Sequence, residues 1–374
     1  MKINAAVLRK MDAPRPFAAS RPLSIETLDL SPPGPGEVLV RIAAAGLCHS
    51  DLSVINGNRP RPLPMALGHE ASGIVAALGD GVADLQLGDH VVIVFMPSCG
   101  HCVPCAEGRP ALCEPGAASN GAGTLLKGDI RLMDADGPVH HHLGVSAFAD
   151  HAVVSRNSLV RIDKHLPLVE AALFGCAVLT GVGAVINTAR LPAGSTAAVI
   201  GLGGVGLAAV MGARAAGASQ IIGVDLSAEK LALAADVGAT GTVNASDADA
   251  IEQVRRLTGG GVDYAFEFAG SVRALDSAMQ MTKRGGTTVT AGLPPADAAL
   301  PVNVVRLVGE ERTLKGSYIG TCVPVRDIPR LIQLYRDGRL PVDRLLSARI
   351  RLEDINEAFD RLDDGSVVRQ VIEF

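Results

Sequence analysis

A chain of 374 residues is too long for one comfortable core, and at about 150 residues per domain two domains are expected. The composition, 48% hydrophobic and 20% charged, suits a well-packed soluble protein, and a formal net charge of −5 supplies no basic field for nucleic acid. The opening MKINAAVLRK lacks an apolar h-region and a small-residue cleavage site, so a cytoplasmic protein with no membrane partner is expected.

Residues 1 to about 45 alternate short apolar runs (Ala5 to Leu8, Val38 to Ile42) with Pro/Gly turns, a pattern of β-strands joined tightly. Next come GLCHSD and GHE. Cys48 and His69 are a soft and a borderline metal ligand, each followed by a carboxylate suited to support it, Asp51 and Glu70. Residues 73–95 return to strand-like alternation with Gly-Asp turns, as in a small β-barrel.

Cys99, Cys102, Cys105 and Cys113 follow, spaced C-x2-C-x2-C-x7-C. Four thiolates this close saturate a tetrahedral ion and leave no position for substrate, so a structural zinc is expected. Disulfides and an iron–sulfur cluster are the rival readings; the seven clustered cysteines of a chain without an export signal favour metal.

Residues 114–150 read as a long irregular insertion, a functional loop or contact surface. Its triplet His140, His141, His142 is read as loop or surface packing, because consecutive side chains point apart. Past strands near 152–154 and 159–162, Cys176 precedes an apolar helix and offers a third ligand beside Cys48 and His69.

The strand Thr196 to Ile200 then runs into Gly201, Gly203 and Gly206 in G-x-G-x-x-G spacing, opening an Ala-rich helix, and the next strand ends in Asp225. Gly201 permits the tight turn, Gly203 lets a pyrophosphate approach, and Gly206 brings helix against strand. The helix start would hold the phosphates. Asp225 would accept a ribose 2′-hydroxyl and repel a 2′-phosphate, so NAD is expected over NADP. Strand and helix patterns alternate to about 318, a doubly wound parallel sheet. Two amphipathic helices, near 328–335 and 355–362, and a closing strand near 368–374 are expected to return to the first domain.

With these motifs in place the chain resembles the zinc-dependent medium-chain alcohol dehydrogenases, nearly end to end and closest to the liver-type, long-loop branch. The resemblance implies an α/β protein: a GroES-like β-barrel catalytic domain with a structural zinc lobe (1–177 and 319–374), and a Rossmann NAD-binding domain (178–318). It implies a catalytic zinc on Cys48, His69 and Cys176, with Asp51 oriented to the His69 imidazole and Glu70 behind the metal. Ser50 would hydrogen-bond the alcohol and start a proton relay. Where better-known relatives end that relay in a histidine this chain has Ser53, so the proton is expected to leave through water or a neighbouring group.

For the cofactor the resemblance implies His49 and Arg369 on the pyrophosphate, Lys230 on the adenosine ribose, Gly204 in the glycine turn, and Thr180 and Val205 beside the nicotinamide. Phe95, His142, Leu143, Leu293 and Ile319 would line the pocket of a small-molecule alcohol, best a primary one with an apolar or aromatic body. A homodimer joined through the cofactor domains is implied, and Cys322 is left as a buried free thiol. Two alternatives stand beside this reading. One is the branch that oxidises S-hydroxymethylglutathione, for which Arg59, Arg61 and Arg131 are candidate carboxylate anchors. The other is an inactive nucleotide-binding sensor or structural subunit.

Overall fold

The computed structural model describes residues 1–374, which divide into two units. The first contains Met1–Cys176, Val323–Pro329 and Leu346–Phe374; the second contains Ala177–Cys322 and Arg330–Leu345.

In the first unit, strands Lys2–Leu8, Leu23–Leu30, Leu132–Met133, Pro138–His141 and Met65–Ala66 close into a barrel. Its interior holds Ile3, Val7, Leu28, Leu30, Leu132 and Val139, each at most 2% exposed. Burial of such side chains contributes about 1.5–3 kcal/mol apiece. A second sheet orders Leu159–Ile162, His90–Ile93, Glu70–Leu78, Glu37–Gly46, Arg369–Glu373 and Leu346–Ile350, with His151–Ser155 also paired to Glu37–Gly46. The C-terminal strand therefore lies directly beside the strand that leads to Cys48.

The stretch expected to be irregular, 114–150, is largely ordered. It forms the helix Glu114–Ala122, ended by Gly123 at φ +71°, and supplies two strands of the closed barrel. Those strands are two and four residues long and carry histidines, so they leave almost no period-two apolar signal. His141 and His142 are each 1% exposed, so of surface and loop packing it is packing that holds for these two.

The second unit is built on a six-stranded parallel sheet in the order Gly241–Asn244, Gln220–Asp225, Thr196–Ile200, Val262–Glu267, Thr282–Thr290, Thr313–Gly316. This is the 3-2-1-4-5-6 order of a doubly wound fold, whose switch point lies between the first and fourth strands. Ala198, Ile222, Val224 and Ala265 are buried because helices cover both faces. Residues 330–345, expected with the first domain, belong here: Leu340, Val342 and Leu345 are fully buried, Arg339 donates to the Ala215 carbonyl at 2.8 Å, and Arg344 pairs with Asp236 at 2.9 Å. No single helix is long and apolar enough to cross a membrane.

His141, on the barrel strand, accepts the Arg131 backbone N–H through Nε2 at 3.0 Å. Burial first, then the charges of His140 and Arg131, pull its pKa down to about 3. In the unfolded chain a histidine titrates near 6.5. The neutral ring therefore contributes stability that is complete above about pH 6.5 and is lost as pH falls toward 3, by at most about 1.4 kcal/mol per pH unit. The urea midpoint should drop between pH 7.5 and 5, and His141→Gln, which keeps an acceptor but cannot titrate, should flatten that drop. An unchanged slope would show that His141 does not set it.

Candidate active site and metal centres

Cys48 caps the helix His49–Ile55 at the end of one central strand, His69 precedes the strand Glu70–Leu78, and Cys176 follows the turn Leu173–Gly175. Gly68 makes the approach possible: at φ +96°, a Cβ there would strike the Phe148 backbone nitrogen. The ligand atoms of Cys48, His69 and Cys176 lie within 4.8 Å of one another, and all three residues are buried.

His69 Nδ1 lies 3.2 Å from Asp51 Oδ1 and 3.1 Å from Oδ2, while its Nε2 is buried with no hydrogen-bond partner. A buried imidazole nitrogen orphaned beside two sulfurs is a poor arrangement for a protein alone and a good one for a metal. The protonation states agree. Burial opposes charging His69, but Asp51 and Cys48 outweigh it and raise its pKa well above the ordinary value. The Cys176 thiol, hydrogen-bonded to Cys48, pushes the Cys48 pKa well below normal and has its own pushed well above.

Arg369 stands against this cluster. It is 3% exposed, donates to the Leu47 carbonyl at 2.9 Å, lies 3.9 Å from Glu70 and hydrogen-bonds Cys48. Its guanidinium is a buried counter-charge to Glu70 and the thiols. His49 is exposed beside the cluster, and Ser50 Oγ lies 3.9 Å from Cys48 Sγ. Ser53 donates to the His49 carbonyl at 2.8 Å.

The sulfurs of Cys99, Cys102, Cys105 and Cys113 also lie within 4.8 Å of one another. Backbone N–H groups point at them: Cys99 N and Gly116 N at Cys113 Sγ (3.2 and 3.4 Å), Cys102 N at Cys99 Sγ (3.3 Å). Burial opposes ionisation at Cys99, but the backbone N–H donors of residues 101 and 102 hold it at about 7, whereas burial drives Cys105 up to about 12. Four free thiols in such a cradle fit one closed tetrahedral ion.

In the second unit Gly201 adopts φ +87°, a Cβ on Gly206 would overlap the Gly201 carbonyl, and Gly203 faces open space. The helix Gly204–Ala215 starts there. This is the cradle a pyrophosphate requires. Asp225 is held at the adjacent strand end by the Leu202 N–H (2.6 Å) and Ser227 N–H (3.0 Å), with Lys230 in the first turn of the following helix. Val205 is in the first turn of the glycine helix, and Thr180 is partly exposed on Ala177–Gly183.

Of the expected pocket residues, Phe95 meets His69 edge-on at 5.3 Å, and His142 meets it edge-on at 5.5 Å. His142 Nδ1 also lies 3.0 Å from Asp51, a contact between distant parts of the sequence that its pattern did not suggest. Leu143 is buried next to it. In the second unit Leu293 is 54% exposed and Ile319 is buried. Arg131 forks onto Glu37 (2.8 and 3.2 Å) and is committed to the barrel, which removes it as a free carboxylate anchor; Arg61, whose charge reaches His142, keeps a buried Nε without a partner.

The family model for the alcohol dehydrogenase GroES-like domain matches residues 34–164, and that for zinc-binding dehydrogenases matches 204–337. The chain is 39% identical to the class-3 alcohol dehydrogenase of Drosophila melanogaster, over 96% of each chain. It is 35% identical to the S-(hydroxymethyl)glutathione dehydrogenase of Paracoccus denitrificans, over 95% of this chain and 97% of that one. The benzyl alcohol dehydrogenase of Acinetobacter calcoaceticus superposes with a TM-score of 0.93 at 33% identity, covering 100% of this chain and 99% of that one.

Protons on His69 and Cys176, and on Cys105 and Cys113, must leave before a metal can bind. Zinc added to metal-stripped protein at pH 7 should therefore release protons from both clusters, and its affinity should fall as pH falls. Titration calorimetry in buffers of different ionisation enthalpy reads this directly; heats independent of buffer would contradict it.

Proposed function

The chain belongs to the zinc-dependent medium-chain alcohol dehydrogenases, and from that membership we propose that it oxidises a primary alcohol with an apolar or aromatic body to the aldehyde, reversibly and with NAD. One zinc would sit on Cys48, His69 and Cys176, and a second on Cys99, Cys102, Cys105 and Cys113. The observation that carries the proposal is the buried, unpartnered Nε2 of His69 within 4.8 Å of two cysteine sulfurs.

When bound, the zinc supplies Lewis acidity at the substrate oxygen and the dinucleotide accepts the hydride. The chain does the rest. Asp51 fixes the His69 tautomer so that Nε2 is the lone pair offered. Ser50 Oγ takes the hydroxyl proton. Ser53 is already donating to a backbone carbonyl, so the proton passes on through water or a neighbouring group. Gly201, Gly203 and Gly206 admit the pyrophosphate, and Asp225 receives the ribose 2′-hydroxyl. Phe95 and Leu143, apolar and next to the metal ligands, favour an apolar substrate body.

The test combines metal analysis with an alcohol panel in NAD and NADP. Two zinc ions per chain, alcohol-dependent NADH formation and a loss of NAD preference of at least about tenfold in Asp225→Ala are expected, equivalent to about 1.4 kcal/mol. One zinc and no turnover would restore the sensor reading. Formaldehyde oxidation that requires glutathione would move the substrate to the glutathione adduct, with Arg59 and Arg61 as the candidate carboxylate anchors.

We also propose a homodimer through the second unit. The edge strand Thr313–Gly316 is exposed throughout, and Val304, Val305 and Val308 are 64%, 84% and 70% exposed. An unpaired edge flanked by apolar side chains is a ready template for a second copy. Val305→Asp should shift the light-scattering mass toward monomer; an unchanged dimer would place the interface elsewhere.

A further inference from the structure

Asp51 is fully buried, and a carboxylate in that position must be satisfied by donors on several sides. Its Oδ1 receives the Gly68 N–H at 3.1 Å and lies 3.2 Å from His69 Nδ1; His142 Nδ1 comes within 3.0 Å of the same oxygen from another side without making a hydrogen bond, and Oδ2 has no hydrogen-bond partner. His142 is delivered there by a deliberately awkward turn. Leu143 and Ser146, neither of them glycine, hold φ values of +52° and +56°, a left-handed conformation that side chains disfavour. Ser146 repays this by locking the turn: its Oγ accepts the His142 backbone N–H at 3.1 Å and donates to the Ala66 carbonyl at 2.8 Å, on the segment that leads into His69.

We propose that His142 is a positioning residue: it fixes the rotation of the Asp51 carboxylate, and through it the orientation of the His69 imidazole toward the metal. The inference rests on the proposed zinc at Cys48, His69 and Cys176. The geometry gives a reason for the second imidazole. A carboxylate gripped by one ring alone can swing about its own axis and carry that ring with it. A polar contact from a second wall restricts the swing, while the Phe95 ring, 5.3 Å from His69 and edge-on, packs the imidazole directly. The same residue expected to line the alcohol pocket thus ties the pocket turn to the ligand set.

Partners of metal-binding histidines typically change metal affinity by about 10–100-fold when removed, and a residue one step further out should have a smaller effect. With cobalt exchanged into the Cys48, His69 and Cys176 set, release to a chelator is followed by the loss of visible absorbance. His142→Phe, which fills the space without an N–H, should speed release roughly threefold to tenfold. His142→Gln, which keeps a donor, should stay within about twofold of the wild type. In an Asp51→Asn background His142→Phe should add less than about twofold, because the pathway through Asp51 is already broken. Release from His142→Phe at the wild-type rate, or an undiminished effect in the Asp51→Asn background, overturns the proposal. Should the Phe variant not fold, a folded His142→Gln that loses metal as fast as Asp51→Asn overturns it equally. A wild-type protein that takes no cobalt at this set fails the zinc assignment itself, an outcome separate from either result.

Discussion

Ionisable groups removed from water dictate most of what surrounds them. Asp51, His69 and Glu70 are fully buried, and Cys48, Cys176 and Arg369 nearly so. Each charge in such a place costs several kcal/mol unless an opposite charge and aligned donors meet it. The first unit meets that demand from widely separated parts of the chain. Arg369, on the final strand, stands against Glu70 and Cys48; Gly68 and His142 close on Asp51; the barrel and the central sheet supply the walls. Without the ion the set still carries protons on Cys176 and His69, the places a metal would take over.

The second unit solves a simpler problem with backbone alone. The glycine turn exposes N–H groups at a helix start and leaves room where a side chain would stand, which is what holding an anion without a buried countercharge requires. Asp225 is held by two N–H groups, from Leu202 and Ser227, at the end of the adjacent strand.

What could be read in the sequence was whatever depends on neighbours along the chain. The glycine turn and the four-cysteine lobe are legible because their geometry is set by spacing within a dozen residues. The parallel sheet is legible because each buried strand is an apolar run. Residues whose role arises only across the fold were read differently. Nothing in the sequence tells that strand pairing with Ala44 to Gly46 sets Arg369 beside Leu47, Glu70 and Cys48. His142 looked like part of a polar triplet, and only the locked turn at Ser146 turns it toward Asp51. The strands of 132–141 were invisible because a barrel can be closed by pairs too short to show a period. Residues 330–345 carry an amphipathic pattern that says they pack, without saying against which unit.

The strand Arg369–Glu373 pairs with Glu37–Gly46, so the first unit is completed by a strand far along the chain from the residues it stands beside. Cys48, His69 and Cys176 lie in the first half of the sequence, but the guanidinium that faces Glu70 and Cys48 comes from Arg369. Without that strand the set would be an unbalanced group of charges in an unfinished sheet, whereas all six strands of the second unit's sheet precede residue 317. The parallel sheet is thus independent of Leu346–Phe374, while the charge balance around Cys48, His69 and Cys176 is not.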